Sequence, residues 1–263
     1  MKKTALFFDI DGTLTNNHTG IIQQSALEAI KIARSNGHLA FINTGRTICS
    51  IQPEIKNLDL DGFLCGCGTH LIFHGKSLFH HSIDRQLCQD MIDCMISCRI
   101  DAVLEAEEDL YFTSETSRLQ DIEYMRNIYT RQGLGLKHPT KELSVIYDKF
   151  FAVTDELSDT KPFFEMIHKD MEIIDRERGR YEIVPKGYSK ATAIDFIRKE
   201  FFIDMDQIYV FGDSSNDLPM FEYAIHTIAM GEHSKALEPY TEFVTKKAED
   251  DGIAFALKKY GLI

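Results

Sequence analysis

Three short segments carry the residue types best suited to chemistry. Residues 9–13 are DIDGT, residues 43–46 are NTGR and residues 212–217 are GDSSND, and each lies at the end of a short apolar run. If these runs are neighbouring parallel strands, their carboxyl ends meet at one edge of a sheet, and four carboxylates converge there. Converging carboxylates repel one another unless a cation lies between them, and oxygen ligands of this kind suit Mg²⁺. The segments together predict a magnesium site that binds an anionic group.

Each segment alone also has a simpler interpretation. Asp-Gly is a common turn pair, so residues 9–13 are compatible with a plain turn. An EF-hand loop that starts at Asp9 needs glycine at its sixth position, where the chain has Leu14. Asp213 alone is compatible with the capping residue of a helix. The occurrence of all three segments at the ends of predicted strands favours the joint site.

The elements around these segments predict an α/β fold. Apolar runs typical of buried strands lie at residues 5–8, 39–42, 62–65, 207–211 and 226–229. Helical spacing lies at residues 22–36, 47–58, 190–202, 218–224 and 253–260. Alternation of this kind predicts a doubly wound parallel sheet with right-handed crossovers.

The middle of the chain does not alternate simply. A hairpin is predicted at residues 71–79, and further strands at 102–104, 111–112, 150–153, 171–174 and 181–184. Helices are predicted at residues 84–98, 119–131 and 161–169. This pattern indicates an inserted α+β domain. We therefore expect a core formed by residues 1–82 and 185–263, with a cap inserted at residues 83–184.

Composition narrows the class of partner. The formal net charge is −12 over 263 residues, whereas a protein that binds duplex DNA presents a basic surface, so we expect no nucleic acid partner. No run approaches the ~20 apolar residues of a membrane span, and no signal-peptide pattern is present, so we expect a cytoplasmic protein. An acidic chain that binds an anionic substrate needs a metal ion or a focused cationic pocket, and the expected state is a monomer.

The six cysteines raise a zinc alternative. Cys65 and Cys67, like Cys94 and Cys98, are closely spaced, but no histidine follows at zinc-finger spacing. Cys94 and Cys98 share a helix-like stretch with apolar residues. Reduced, buried thiols are therefore the favoured interpretation.

Taken in order, the motifs resemble those of the haloacid dehalogenase-like superfamily. Residues 9–14 are similar to its first motif, residues 44–46 to the second, Lys190 to the third and residues 212–220 to the fourth. Residues 229–231 and 249–252 further resemble the Cof-type phosphatases of that superfamily, and the resemblance spans nearly the whole chain. Two positions depart from the usual pattern: Cys67 precedes Gly68 where asparagine is usual, and Glu232 follows Gly231 where asparagine is frequent.

The resemblance implies a Mg²⁺-dependent phosphatase acting on small phosphorylated metabolites such as sugar phosphates. It implies that Asp9 attacks phosphorus and that Asp11 is the general acid and base. The implied metal ligands are Asp9, the Asp11 carbonyl and Asp213, with Asp217 acting directly or through water. The implied phosphate contacts are Thr44, Gly45, Lys190 and Asn216, although a lysine that starts a helix is more often a solvated surface residue. The cap is implied to set specificity.

Three rival functions remain open at this point. A phosphomutase could use the same scaffold, although residues 44–46 favour a phosphatase. A serine esterase could be inferred from residues 212–214, but no Asp-x-x-His follows Ser214. A non-catalytic binding protein could retain a relic site, but the presence of both Asp9 and Asp11 argues against it.

Overall fold

The computed structural model describes residues 3–17, 19–137 and 145–263. Two compact units make up the chain. The first unit consists of Met1–Gly45, Asn57–Phe79 and Tyr188–Ile263, and the second of Arg46–Lys56 and His80–Gly187.

The described residues form 13 strands and eight α-helices. The strands are β1 (Ala5–Phe8), β2 (Leu39–Asn43), β3 (Gly62–Cys65), β4 (His70–Phe73), β5 (Lys76–His80), β6 (Asp101–Glu105), β7 (Leu110–Phe112), β8 (Lys149–Val153), β9 (Met171–Asp175), β10 (Arg180–Pro185), β11 (Ile208–Gly212), β12 (His226–Ala229) and β13 (Phe243–Val244). The helices are α1 (Gln24–Ser35), α2 (Pro53–Lys56), α3 (Arg85–Ser97), α4 (Gln120–Arg131), α5 (Thr160–Ile167), α6 (Lys190–Glu200), α7 (Leu218–Tyr223) and α8 (Gly252–Lys259).

The first unit is built on a mostly parallel sheet, as the sequence predicted. Its strand order is β13-β12-β11-β1-β2-β3-β4-β5, and the pairs from β13 to β3 are parallel. Every residue of β1 and β2 is buried. Because successive side chains point to opposite faces of a strand, burial of every residue means that both faces of the sheet are covered.

Helices cover the two faces for reasons visible in the sequence. Helix α1 buries Ala26, Ala29, Ile30 and Ala33, which share one face at helical spacing, and it packs against α8. Helices α6 and α7 contribute Ile194 and Phe221, among others, to a core cluster with the side chains of β1 and β2. This packing fixes β1, β2 and β11 as neighbours, with their carboxyl ends on the same edge.

The second unit is an α+β unit with an antiparallel sheet, in the order β7-β6-β8-β10-β9. Helices α3 and α5 pack on one core cluster of this sheet, and α4 packs on another. The role of residues 83–184 as a specificity domain stays a prediction.

The segment after β2 corrects one expectation about secondary structure. The single helix predicted over residues 47–58 is wrong: the chain forms a short 3₁₀ turn at Ile48–Ser50 and then the one-turn helix α2. Pro53 explains the break, because proline lacks the N–H that a helix interior needs and is tolerated only in the first turn. The segment Arg46–Lys56 also groups with the second unit, where the Cys49 thiol donates a hydrogen bond to the Ala106 carbonyl.

No helix among the described residues is long and apolar enough to cross a membrane.

Candidate active site

Three buried aspartates gather at the carboxyl ends of β1 and β11. The register of these parallel strands pairs Phe8 with Phe211, and the Asp9 N–H donates to the Phe211 carbonyl at 3.1 Å. One carboxylate oxygen from each of Asp9, Asp213 and Asp217 lies within 4.8 Å of the others. Their relative exposures are 4%, 7% and 0%, so the three carboxyl groups have little access to water. The predicted convergence of carboxylates is thus present, with three of the four side chains in the cluster.

Lys190 lies among these carboxylates and is not a surface residue. Its Nζ is 2.8 Å from Asp9 Oδ1 and 2.5 Å from Asp217 Oδ1, and its side chain is fully buried. Lys190 is the first residue of α6, whose start is fixed by a capping box: the Ser189 side chain accepts from the Thr192 N–H, and the Thr192 side chain accepts from the Ser189 N–H. The start of the helix therefore holds the ammonium group among the aspartates.

Asp217 is held by backbone as well as by Lys190. Its Oδ2 accepts hydrogen bonds from the Asp213 and Ser214 N–H groups, both at 2.9 Å. A Cβ on Gly212 would lie 2.7 Å from the Asp217 carboxyl carbon, so only glycine fits beside it. Asp217 Oδ2 thus fixes the loop that carries Asp213, while Oδ1 accepts from the Lys190 ammonium.

Asp213 receives its own hydrogen bonds from the loop after β1. The Thr13 hydroxyl donates to Asp213 Oδ1 at 2.9 Å, and the Asn17 side chain also hydrogen-bonds to this carboxylate. Gly12 adopts φ +80, and a side chain there would overlap Asp213 and Asn17. The glycine therefore allows the loop to approach Asp213 closely.

Burial sets the protonation of the cluster. Desolvation raises the pKa of Asp9 to about 8. Attraction to Lys190 opposes this rise, whereas repulsion from Asp217 and Asp213 adds to it. Desolvation and the charge of Asp217 raise the pKa of Asp213 to about 7. Burial alone would lower the pKa of Lys190, but the charges of Asp217 and Asp9 outweigh it and raise that pKa. The lysine therefore stays charged while Asp9 and Asp213 tend to hold protons.

The second motif lies at the end of β2. Thr44 is 1% exposed; its N–H donates to the Leu64 carbonyl at 2.9 Å, and its carbonyl accepts from the Cys67 N–H at 3.1 Å. Gly45 is also buried. Cys67 has φ 54 and ψ 38, the left-handed conformation that asparagine tolerates better than most residues. The left-handed backbone at residue 67 explains why asparagine is usual at this position in the Cof-type pattern that the sequence resembles.

Two predicted site residues lie outside the carboxylate cluster. The Asp11 side chain is exposed, although the residue forms a backbone bridge with Thr15. Asn216 is half-buried, and its Oδ1 accepts from the Ser214 hydroxyl at 2.6 Å. Both residues are in the loops that carry Asp9 and Asp213.

Three residues in contact with the site were not predicted as site residues. Thr13 and Asn17 bond Asp213, and the Asn43 amide donates to the Lys190 carbonyl at 3.0 Å. Asn43 lies in the segment 43–46 that the sequence singles out, but no site role was predicted for it. Asn17 gives no such signal, because asparagine is common in any exposed loop.

Comparison with known proteins places this site in a family context. A family model described as haloacid dehalogenase-like hydrolase matches residues 6–257. YkrA from Bacillus subtilis (strain 168) is 26% identical over 265 residues, which cover 100% of both chains. YitU from the same organism, named a 5-amino-6-(5-phospho-D-ribitylamino)uracil phosphatase, is 24% identical and is matched over 98% of each chain. The structure of BT1666 from Bacteroides thetaiotaomicron, described among phosphatases, has a TM-score of 0.84 at 21% identity, covering 100% of this chain and 96% of that one.

Proposed function

The chain belongs to the haloacid dehalogenase-like hydrolases, and on this premise we propose that it is a phosphatase that hydrolyses small phosphomonoesters. The observation that carries the proposal is the buried ammonium of Lys190 between Asp9 and Asp217. This arrangement places the Asp9 carboxylate, as a nucleophile, beside the Lys190 ammonium, as a fixed cation that can bind an anionic group. The names of the relatives support the reaction, and the name of YitU supports a phosphorylated polyol or sugar-like metabolite as substrate.

The donor set fits a hard divalent cation, and we propose Mg²⁺. Three carboxyl groups lie together at low exposure, and desolvation together with repulsion among them raises the pKa values of Asp9 and Asp213. Oxygen donors of this type suit Mg²⁺. The Asp9 and Asp213 carboxylates and the Asp11 carbonyl are the proposed ligands. When bound, the ion would supply positive charge that polarises the phosphoryl group and keeps Asp9 ionised.

Asp217 has a supporting role in this proposal. Its two oxygens already accept from Lys190, Asp213 and Ser214. A carboxylate so engaged is better suited to orienting Asp213 and Lys190 than to binding the metal directly.

The proposed reaction has two steps with Asp9 as the nucleophile. A carboxylate oxygen of Asp9 forms a bond to phosphorus as the ester P–O bond breaks, and Asp11 gives a proton to the leaving oxygen. Water then attacks the aspartyl-phosphate, Asp11 takes a proton from that water, and inorganic phosphate leaves as Asp9 is restored. The exposed position of the Asp11 side chain supports this role, because a general acid must reach the leaving group and exchange protons with solvent.

The phosphoryl oxygens need donors, and four residues are proposed for them. Lys190 offers its ammonium, Thr44 its hydroxyl, Gly45 its backbone and Asn216 its amide. A buried, preorganised donor set stabilises charge that develops in the transition state more strongly than water does. Lys190 and Thr44 meet the burial requirement, with exposures of 1% each.

The test measures inorganic phosphate released from a panel of phosphorylated sugars, polyols and cofactors, with Mg²⁺ and with a chelator. The native chain is compared with Asp9→Asn and with Asp170→Asn, a matched change at an exposed aspartate of the second unit. We expect release by the native chain and Asp170→Asn only with Mg²⁺, and at least ~10³-fold less by Asp9→Asn, since the nucleophile is lost. A folded native chain that releases no phosphate from any ester would sink the proposal.

The same panel separates a phosphatase from the phosphomutase alternative. A phosphatase releases inorganic phosphate without an added activator. A mutase would instead need a bisphosphate and would return an isomeric phosphate ester with little free phosphate.

A further inference from the structure

Asn43 is a fully buried amide in an otherwise apolar strand. It is the last residue of β2, where the preceding four residues are Leu-Ala-Phe-Ile, and its exposure is 0%. Burying an amide is unfavourable unless its polar atoms find partners. An apolar residue would fit the pattern of this strand better, so the amide needs an explanation at this position.

One half of the Asn43 amide has a defined partner. Its Nδ2 donates to the Lys190 carbonyl at 3.0 Å and lies 3.7 Å from Met220 Sδ. The opposite orientation of the amide would turn its oxygen toward the Lys190 carbonyl oxygen, and two acceptors would then face each other. The hydrogen bond therefore fixes the orientation and ties the end of β2 to the first residue of α6.

The oxygen of the Asn43 amide gives a second reason to expect a role beyond packing. Asn43 Oδ1 is buried and has no hydrogen-bond partner among the described residues. A buried acceptor without a partner lowers stability, and it would disappear if the residue were apolar. The chain thus carries an unfavourable group in order to keep the Nδ2 bond, which points to a role beyond packing.

We propose that Asn43 is a positioning residue that sets the separation of Thr44 and Lys190. Thr44 follows Asn43 directly in the chain, and Lys190 is held through its carbonyl, so a single amide anchors both residues. This inference rests on the proposed function, in which Thr44 and Lys190 contact the same phosphoryl group. Because small misplacements of binding groups weaken transition-state contacts severely, a fixed separation would favour both phosphate binding and turnover.

The test uses two variants that remove the donor in different ways. Asn43→Leu keeps much of the volume, whereas Asn43→Ala leaves a cavity. The matched control is Asn36→Ala, because the Asn36 amide donates to the Leu262 carbonyl at the same 3.0 Å, in the same unit but at the end of α1. Binding of inorganic phosphate is measured by calorimetry with Mg²⁺ present, alongside KM, kcat and the thermal unfolding of each variant.

We expect Asn43→Leu and Asn43→Ala to weaken phosphate binding by about tenfold and to lower kcat/KM by about 10²-fold, because misplaced Thr44 and Lys190 lose contacts in the transition state as well as in the bound state. Asn36→Ala should leave phosphate affinity unchanged whatever it does to unfolding. If Asn43→Leu or Asn43→Ala folds and binds phosphate as tightly as the native chain, the inference is overturned while the proposed function stands. If the native chain neither binds phosphate nor releases it from esters, the proposed function fails and this inference fails with it.

Discussion

Lys190 is a buried cation that stabilises the fold and, in the proposed function, also contacts the phosphoryl group. It is the cation that faces Asp9 and Asp217 in a region with almost no water access. Removing one partner from a buried ion pair is costly, because the remaining charge has lost its solvation and gained nothing in return. An exposed pair behaves differently, since water screens it.

We therefore predict that Lys190→Met loses about 3–5 kcal/mol of the free energy of unfolding in metal-free buffer. The control is Lys199→Met on the same helix, where the side chain is 67% exposed and pairs with Asp195 at 2.6 Å; it should lose about 0–1 kcal/mol. Urea unfolding of both variants is the measurement. Equal losses in the two variants would contradict the view that Lys190 stabilises the site.

A second residue-scale prediction concerns Gly12. Gly12 and Gly20 both have positive φ, +80 and +67, but only a Cβ on Gly12 would meet Asp213 and Asn17, whereas nothing lies within 4 Å of a Cβ on Gly20. Gly12→Ala should therefore reduce Mg²⁺ affinity and phosphatase activity by at least ~10²-fold, because Asp213 must move. Gly20→Ala should cost only backbone strain. Titration of Mg²⁺ by calorimetry compares them, and similar metal affinities would refute the argument.

The sequence indicated the charged residues of the candidate site more clearly than the polar residues that fix those side chains in position. Asp9, Asp213 and Lys190 were predicted because their types and order are unusual, and the burial of Asp9 and Asp213 follows from their position at strand ends. Asn17 was not predicted, since its contact with Asp213 depends on the path of a loop. The burial of Lys190 was not predicted from its helix start either, because it depends on how α6 packs on the sheet.

At the scale of elements, α6 has a cap that also sets the position of Lys190. Ser189 caps the helix with its side chain, and Lys190 follows immediately. Asp84 caps α3 in the second unit in a similar way, accepting from the Gln86 and Leu87 N–H groups. The two caps thus use the same kind of hydrogen bond, but only the Ser189 cap lies next to a residue of the candidate site, Lys190.

We predict that Ser189→Ala and Asp84→Ala each lower the free energy of unfolding by about 1 kcal/mol, because each removes a helix cap. Only Ser189→Ala should also weaken inhibition by inorganic phosphate, since the first turn of α6 holds the Lys190 ammonium. Thermal unfolding and product-inhibition constants measure the two effects. Loss of phosphate inhibition in Asp84→Ala to the same extent would show that general destabilisation is responsible.

Periodicity predicted the long elements well and failed where local chemistry opposed it. The apolar spacing of residues 22–36 corresponds to α1 and that of residues 84–98 to α3, because packing and spacing agree there. Residues 47–58 have helical spacing too, yet Pro53 interrupts them and the chain forms two short turns. The two-residue strand β13 was not predicted, because its pairing with β12 is decided by the sheet and not by its own sequence.

At the scale of the whole molecule, the site depends on segments far apart in the sequence. The hydrogen bond between Thr13 and Asp213 and the pairing of β1 with β11 join segments about 200 residues apart. Such contacts form only when the first unit is folded. The protonation of the site is therefore linked to the stability of the fold and, in the proposed function, to the binding of Mg²⁺.

The direction in which stability changes with pH follows from two raised pKa values. Burial raises the pKa of Asp9 to about 8 and that of Asp213 to about 7. Both exceed the ordinary value of 3.8, so between about pH 4 and pH 8 the folded, metal-free chain holds more protons than the unfolded chain. Stability then falls as pH rises through this window, because the unfolded state binds fewer protons. We predict that the free energy of unfolding in chelator declines from pH 5 to pH 8, and that Asp213→Asn flattens this decline.

Mg²⁺ should reverse that dependence, because a cation favours the ionised carboxylates that burial disfavours. Metal binding must displace the protons held by Asp9 and Asp213, so Mg²⁺ affinity should rise as pH increases toward about 8. Calorimetry at pH 7 in buffers of different ionisation enthalpy measures the protons released. Proton release that diminishes in Asp213→Asn would link the metal to this cluster, whereas no release from the native chain would mean that Asp9 and Asp213 are already ionised without the metal.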